Sequence, residues 1–266
     1  MITSYHNPLI KRIKRLRQRK YRREENAFFV EGPRAFLAAV ETGAPVAAVI
    51  YSRQLLRSEA CYAAIAQLTA RGVACQEVTA ELFAAVAERE NPAGIGAIVA
   101  AGSMALDDLA VNDGALFVVL VEPSDPGNVG AVLRTLDAVG GAGLLLIGNS
   151  ADPFHPTAVK ASMGSLFTVP LCQVDHLATA LAWARQHGVQ IVATSARAAQ
   201  VYWDAVYQPP TLFLMGSERH GLNPAALAAA DLRVTIPMQG SVTSLNLAVA
   251  TSLLLYEAVR QKSREK

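Results

Sequence analysis

Three short segments of the 266-residue chain place polar side chains where chemistry could use them. The first, DPGNVGAVLR over 125–134, follows an apolar run and sets an amide, Asn128, six residues before a guanidinium, Arg134. The second, LFLMGSERHGL over 212–222, carries the carboxylate of Glu218 just past a strand, between Gly216 and Gly221. The third, IPMQGSVTSLNLAVATSLLLYEAV over 236–259, runs from an apolar strand through a loop at Gly240 and brings Ser244 and Asn246 to the mouth of an apolar helix. An amide and a guanidinium together can face one ligand that contains hydroxyl and phosphate groups. Each residue also has a plain structural use. Asn128 can cap a helix, Glu218 can cap the next one, Ser244 and Asn246 are cap residues, and Arg134 can lie along the surface.

The first segment has the look of a phosphate loop, but its glycines are wrong for one. A dinucleotide fingerprint needs GxGxxG after the strand and an acid about twenty residues on. Here the spacing is GNVG, and the glycine that lets a pyrophosphate approach is absent. No GKS or GKT occurs, which excludes a P-loop.

These segments must be held by a frame of strands and helices. Apolar residues make up 52% and charged residues 17% of the chain, enough for packed cores and against disorder. The pattern predicts a smaller α/β domain over 1–102 and a linker over 103–113, centred near Asp107. A larger domain follows over 114–266. In the first, a basic helix after HNP precedes strands AFFVEG, VAAVIYS, VACQEV and GIGAIVAA, with helices between and Thr79 as a cap. In the second, ALFVVLVE, GLLLIG, LFTVP, VQIVATS, TLFLMGSE and LRVTIPM are short strands, and a last helix runs from about Leu245 towards Arg260. Alternation of this kind specifies an open, doubly wound parallel sheet, which binds ligands at the carboxyl ends of its strands. All three polar segments fall there.

Charge is unevenly spread. Residues 11–23, KRIKRLRQRKYRR, hold nine of the 24 Lys and Arg and none of the 22 Asp and Glu. The rest of the chain carries 15 basic against 22 acidic residues, a net −7. A nucleic-acid partner suits this asymmetry, with Lys11, Arg12, Lys14, Arg15, Arg19 and Arg22 as contacts. A membrane surface and a merely solvated tail are the rivals. Ile10, Ile13, Leu16 and Tyr21 form a narrow apolar stripe that can dock on the protein's own core. Three cysteines with no CxxC pair read as reduced thiols, and five scattered histidines predict no metal site. No leader with an apolar core opens the chain, and its greasiest stretch is too short and polar to span a bilayer. A cytoplasmic protein is expected.

Taken together, the three segments resemble the SpoU/TrmH branch of the SPOUT RNA methyltransferases. NVGAVLRTLDAVG is similar to its first motif, GSERHGL to its second, and IPM…SLNLAVATSLLLYE to its third. NPLIKRIKRL and FFVEGPR are similar to its N-terminal substrate-binding domain. The resemblance implies a C-terminal sheet tied in a deep trefoil knot, a ribosomal-protein-like RNA-binding domain before it, and a homodimer. It also implies S-adenosylmethionine bound in the knot, with Thr194, Ser195, Gly216, Ile236, Leu245 and Asn246 as contacts. The reaction implied is methyl transfer to a ribose 2′-hydroxyl, with Asn128, Arg134, Glu218, Ser244 and Asn246 as its residues. Thr243 stands where relatives often carry an acid, and Arg219 and His220 occupy variable positions of the second motif.

The full N-terminal domain favours ribosomal RNA, most simply 23S, as the target. That target includes the setting of an antibiotic-resistance enzyme. The rivals are the same chemistry on tRNA and an RNA-binding assembly factor that has lost catalysis.

Overall fold

The structure, a computed structural model, describes residues 1–88 and 90–264. The chain forms two compact units, one of residues 1–102 with 152–168 and the other of 103–151 with everything from 169 on.

The chain opens on α1 (Pro8–Arg15), capped by Asn7, whose side chain accepts from the Leu9 amide, with Pro8 in the first turn. The single basic helix expected here is two helices. Residues 16–18 break it before α2 (Arg19–Glu25), which stops at Asn26 in the left-handed region, φ 45°. Then follow β1 (Ala27–Glu31), α3 (Pro33–Glu41), β2 (Val46–Tyr51), α4 (Glu59–Ala70), β3 (Ala74–Glu77), α5 (Ala80–Val86) and β4 (Ile95–Ala100). Thr79 caps α5 as expected, accepting from the Leu82 amide at 3.2 Å. The sheet order is β1-β4-β2-β3, with β4 antiparallel to both neighbours and β2 parallel to β3. Ile10, Ile13 and Leu16 are almost wholly buried against Ile50, Leu82, Phe83 and Ile98. The apolar stripe of the basic segment is therefore a core contact. Tyr21 stands outside that cluster, half-buried, with the Arg15 guanidinium 4.2 Å from its ring centroid.

The second unit begins before its first strand. Residues 103–113, expected as a linker, are packed: Leu109 is buried in this unit's core and Leu106 and Val111 lie against it. Then come β5 (Leu116–Val121), α6 (Pro126–Ala138) and β6 (Gly143–Ile147). Residues 152–168, with α7 (Pro156–Ser162), leave this unit and complete the first. There the Phe154 and Phe167 rings sit 4.8 and 6.0 Å from that of Phe28. The strand expected at LFTVP does not form. Met163 and Gly164, at φ 55° and 105°, turn the chain, and Ser165–Phe167 is a 3-10 turn.

The sheet resumes with β7 (Leu171–Val174), followed by α8 (Leu177–Gln186), β8 (Gln190–Thr194), β9 (Gln200–Val201), β10 (Thr211–Met215), α9 (Pro224–Ala228), β11 (Leu232–Thr235) and α10 (Leu247–Arg264). All its pairings are parallel, in the order β7-β6-β5-β10-β8-β11-β9. One face packs Phe117, Val119, Leu145, Ile191 and Leu214 against Trp183 and Ala184 of α8. Val118, Leu120, Leu146 and Phe213, which alternate with them, are equally buried. Burial on both faces is why these strands read as unbroken apolar runs. Cys61 and Cys172 are buried free thiols. No described helix is long and apolar enough to cross a membrane, and no three described His, Cys, Asp or Glu are grouped to hold a metal.

The order β5-β10-β8-β11 brings the carboxyl ends of four strands side by side. The loops that follow them carry all three polar segments.

Candidate active site

The loop after β5 enters α6 through Asp125, not Asn128. The Asp125 carboxylate accepts from the Gly127 amide at 2.8 Å and Pro126 is the first helical residue. Asn128 is thus spared from capping. It sits buried in the first turn, 7% exposed, with its side chain turned to other loops.

The loop after β10 is tight. Ser217 and Gly221 form an isolated bridge, Gly221 has φ 64°, and a Cβ on Gly216 would overlap the backbone of Gly221 and Leu222. Glu218 caps no helix; Asn223 does that for α9. Asn246 caps α10, its Oδ1 accepting from the amides of Ala248 and Val249 at 2.9 and 3.3 Å.

The three loops meet in one chain of hydrogen bonds. Asn246 Nδ2 donates to Asn128 Oδ1 at 2.9 Å, and Asn128 Nδ2 donates to Glu218 Oε1 at 2.9 Å. The other carboxylate oxygen, Oε2, accepts from the amide and the hydroxyl of Ser124, both at 3.2 Å. Partial burial raises the Glu218 pKa, but the bonds from Asn128, its own backbone and Ser124 outweigh it and hold the carboxyl below the usual 4.5. Ser124 was not singled out from sequence. Only its hydroxyl, one residue before a helix cap, marks it there.

Arg134 stands apart from this chain of bonds. Its side chain is exposed, two turns into α6, and makes no ion pair with a described residue. The next residue ties α6 to α10, with Thr135 Oγ1 3.0 Å from Ser252 Oγ. The guanidinium is held by a braced helix and left open to a ligand.

Beside the relay lies a cavity of about 580 Å³, within the range of small-molecule sites. Thr194, Ser195, Gly216, Ile236, Leu245 and Ser244 all line it; Asn246 does not, and reaches it only through its neighbours Leu245 and Leu247. Its walls combine apolar side chains with backbone and hydroxyl groups, and Glu218 forms one end. That donor set fits a nucleoside with a polar tail.

A model of the SpoU rRNA Methylase family matches residues 115–256, and one of the MRM3-like substrate binding domain matches residues 7–97. The chain belongs to the SpoU rRNA methylase family. It is 34% identical over 253 residues to the 23S rRNA (uridine(2479)-2′-O)-methyltransferase of Streptomyces viridochromogenes, covering 93% of this chain and 87% of that one. The crystal structure of an AdoMet-bound rRNA methyltransferase from Sinorhizobium meliloti superposes with a TM-score of 0.90 at 33% identity, covering 97% of each chain. The SpoU methyltransferase AviRb from Streptomyces viridochromogenes, in complex with AdoMet, gives 0.86 at 32% identity, over 97% of this chain and all of that one.

In this SpoU chain the basic residues of the first unit are not equivalent. Lys11 and Arg15 are exposed, and Lys14, half-buried, lies 5.4 Å from the Tyr5 ring centroid. Arg12 is paired with Glu25 at 2.7 Å, and Arg19 is half-buried. Arg22 corrects the expectation of a surface contact. It is 3% exposed, pairs with Asp152 at 2.6 Å, and donates to the carbonyls of Leu16 and Arg17 at 2.8 and 2.7 Å. Its charge is consumed inside the unit.

Proposed function

We propose that this SpoU-family chain transfers a methyl group from S-adenosylmethionine to a ribose 2′-hydroxyl of 23S ribosomal RNA. The observation that carries the reading is the Asn246–Asn128–Glu218–Ser124 relay, which joins the three motif loops at the end of one nucleoside-sized cavity.

When bound, S-adenosylmethionine supplies a methyl already attached to a sulfonium leaving group. Thr194, Ser195, Gly216, Ile236 and Leu245 hold it through backbone groups and apolar contact. Asn128 retains one N–H and one lone pair beyond its two relay bonds, and these position the ribose. Glu218, Ser244 and Asn246 fix that amide and the cavity rim. In-line displacement gains much of its rate from such alignment. Arg134 grips the adjoining phosphate or meets the negative charge that develops on the 2′-oxygen. A guanidinium gives up its proton too reluctantly to serve readily as a base.

The unit of residues 1–102 with 152–168 serves as the RNA-binding domain and the other unit as the catalytic one, with Lys11, Lys14 and Arg15 on phosphates. The knot is part of the same reading and rests on the resemblance of the three motif segments. Homodimerisation through α10 is supported by Val249 and Tyr256, apolar and about half exposed seven residues apart.

The test uses radiolabelled S-adenosylmethionine with unmodified 23S rRNA and unmodified tRNA in separate reactions, followed by alkali digestion. Label in alkali-resistant dinucleotides from 23S rRNA is expected. Label only from tRNA would replace the substrate, and retained cofactor binding without label in either would replace the reaction.

A further inference from the structure

A second cavity, of about 500 Å³, adjoins the first and shares Ser195, Arg197 and Leu227 with it. Arg197 projects from the connection between β8 and β9, and Arg233 from β11. Both guanidinium-bearing side chains are exposed, and neither has an ion pair or side-chain hydrogen bond to a described residue. The one acid of the lining, Asp231, is bound back into the sheet, its Oδ2 accepting from the Ile191 amide at 2.8 Å. Gln200 adds an amide, and Leu227 and Ala230 an apolar wall.

Two cations against a single carboxylate leave the opening net positive, and that carboxylate is already engaged by the Ile191 amide, so the lining favours an anion. The strand order fixes where this site lies. From β5, which feeds Asn128, to β11, which carries Arg233, there are three strand steps, or roughly 14 Å. A lateral separation of that order between strands suits the phosphates of neighbouring nucleotides better than that of the nucleotide under reaction.

We propose that Arg197 and Arg233 form a phosphodiester-binding annex that holds the RNA a few nucleotides from the methylated ribose. The assignment rests on the RNA methyltransferase reading above. The annex acts on RNA affinity and register; Arg233 lines the second cavity alone, while Arg197 borders both.

The experiment measures binding of unmodified 23S rRNA transcript to the full chain across about 50 to 200 mM salt, and of S-adenosylhomocysteine by calorimetry. The Arg197→Ala/Arg233→Ala variant should lower the slope of log affinity against log salt by about 1.4 to 1.8, the loss of two phosphate contacts. Arg233→Ala alone should lower the slope by about half of that and leave S-adenosylhomocysteine affinity unmoved, and Arg197→Lys/Arg233→Lys should restore the slope. An unchanged slope would overturn the annex. So would a loss of S-adenosylhomocysteine affinity in Arg233→Ala, which would assign that arginine to the cofactor. Failure of the wild-type chain to bind the transcript at all, with S-adenosylhomocysteine still bound, would instead bring down the underlying reading.

Discussion

Asn128 and Glu218, 90 residues apart in the chain, share a 2.9 Å hydrogen bond in which the amide donates to a carboxylate oxygen. With Asn246 donating to the opposite end of the same amide, Asn128 has no freedom to flip. Asn128→Ala takes a partner from Glu218 Oε1 and Asn246 Nδ2, both on exposed residues that water can reach. The expected outcome is a loss of about 0.5–1.5 kcal/mol in stability and a fall of roughly 10²-fold in methyl transfer through misplaced loops. Chemical denaturation and single-turnover methylation measure the two; an unchanged rate would remove Asn128 from the site.

Arg134 lies free of the relay, so its removal should disturb little of the structure. Arg134→Ala is expected to keep its melting temperature and S-adenosylhomocysteine affinity and to lose methyl transfer by about 10²–10³-fold, the usual cost of one charge-stabilising donor. Full activity in a clean preparation would contradict the role given to it.

The Glu218 carboxyl has a folded pKa below its ordinary 4.5, because bonds from Asn128, its own backbone and Ser124 outweigh the upward push of burial. Its ionised form therefore stabilises the fold. That contribution is complete above pH 4.5 and drains away as pH falls through the lower folded value. Melting curves of wild type and Glu218→Gln between pH 7 and 3 should show a wild-type advantage that narrows below 4.5. A gap that stays constant with pH would mean that the relay does not hold the carboxylate.

Gly216 leaves no room for a side chain, since a Cβ there meets the backbone of Gly221 and Leu222. Gly216→Ala should push the 216–221 loop into the cavity. Loss of S-adenosylhomocysteine binding by more than about tenfold is expected, read by calorimetry.

Arg22 and Asp152 form an ion pair with side chains 3% and 12% exposed. Arg22→Ala leaves a carboxylate without its partner in a nearly closed site and should cost about 3–5 kcal/mol. A surface phosphate contact, by contrast, would show in the salt dependence of RNA binding and hardly in denaturation.

The motif loops were legible because each joins a strand signal to residues of unusual polarity. Their role was not readable from any single residue. Asn128 looked like a cap until Asp125, three positions earlier, proved to fill that place. Ser124 carries no pattern, and its contribution depends on a carboxylate 94 residues away. The basic segment shows the same limit. Its apolar stripe predicted burial of Ile10, Ile13 and Leu16, but nothing local distinguishes Arg22 from its neighbours. Its partner is 130 residues distant, in a segment whose strand-like composition hid a 3-10 turn. Pairing across the chain, not propensity, decided these positions.

The first unit is closed by a piece of chain encoded far from the rest of it. Phe28 packs on Phe154 and Phe167, and Arg22 on Asp152, so residues 1–102 by themselves lack part of their own interior. A genetic crossover at residue 102 would hand a recipient an unfinished domain, its aromatic core open to water. Shuffling this unit onto another chain therefore requires two exchanges in concert. In inheritance, the first unit travels with the second as one piece.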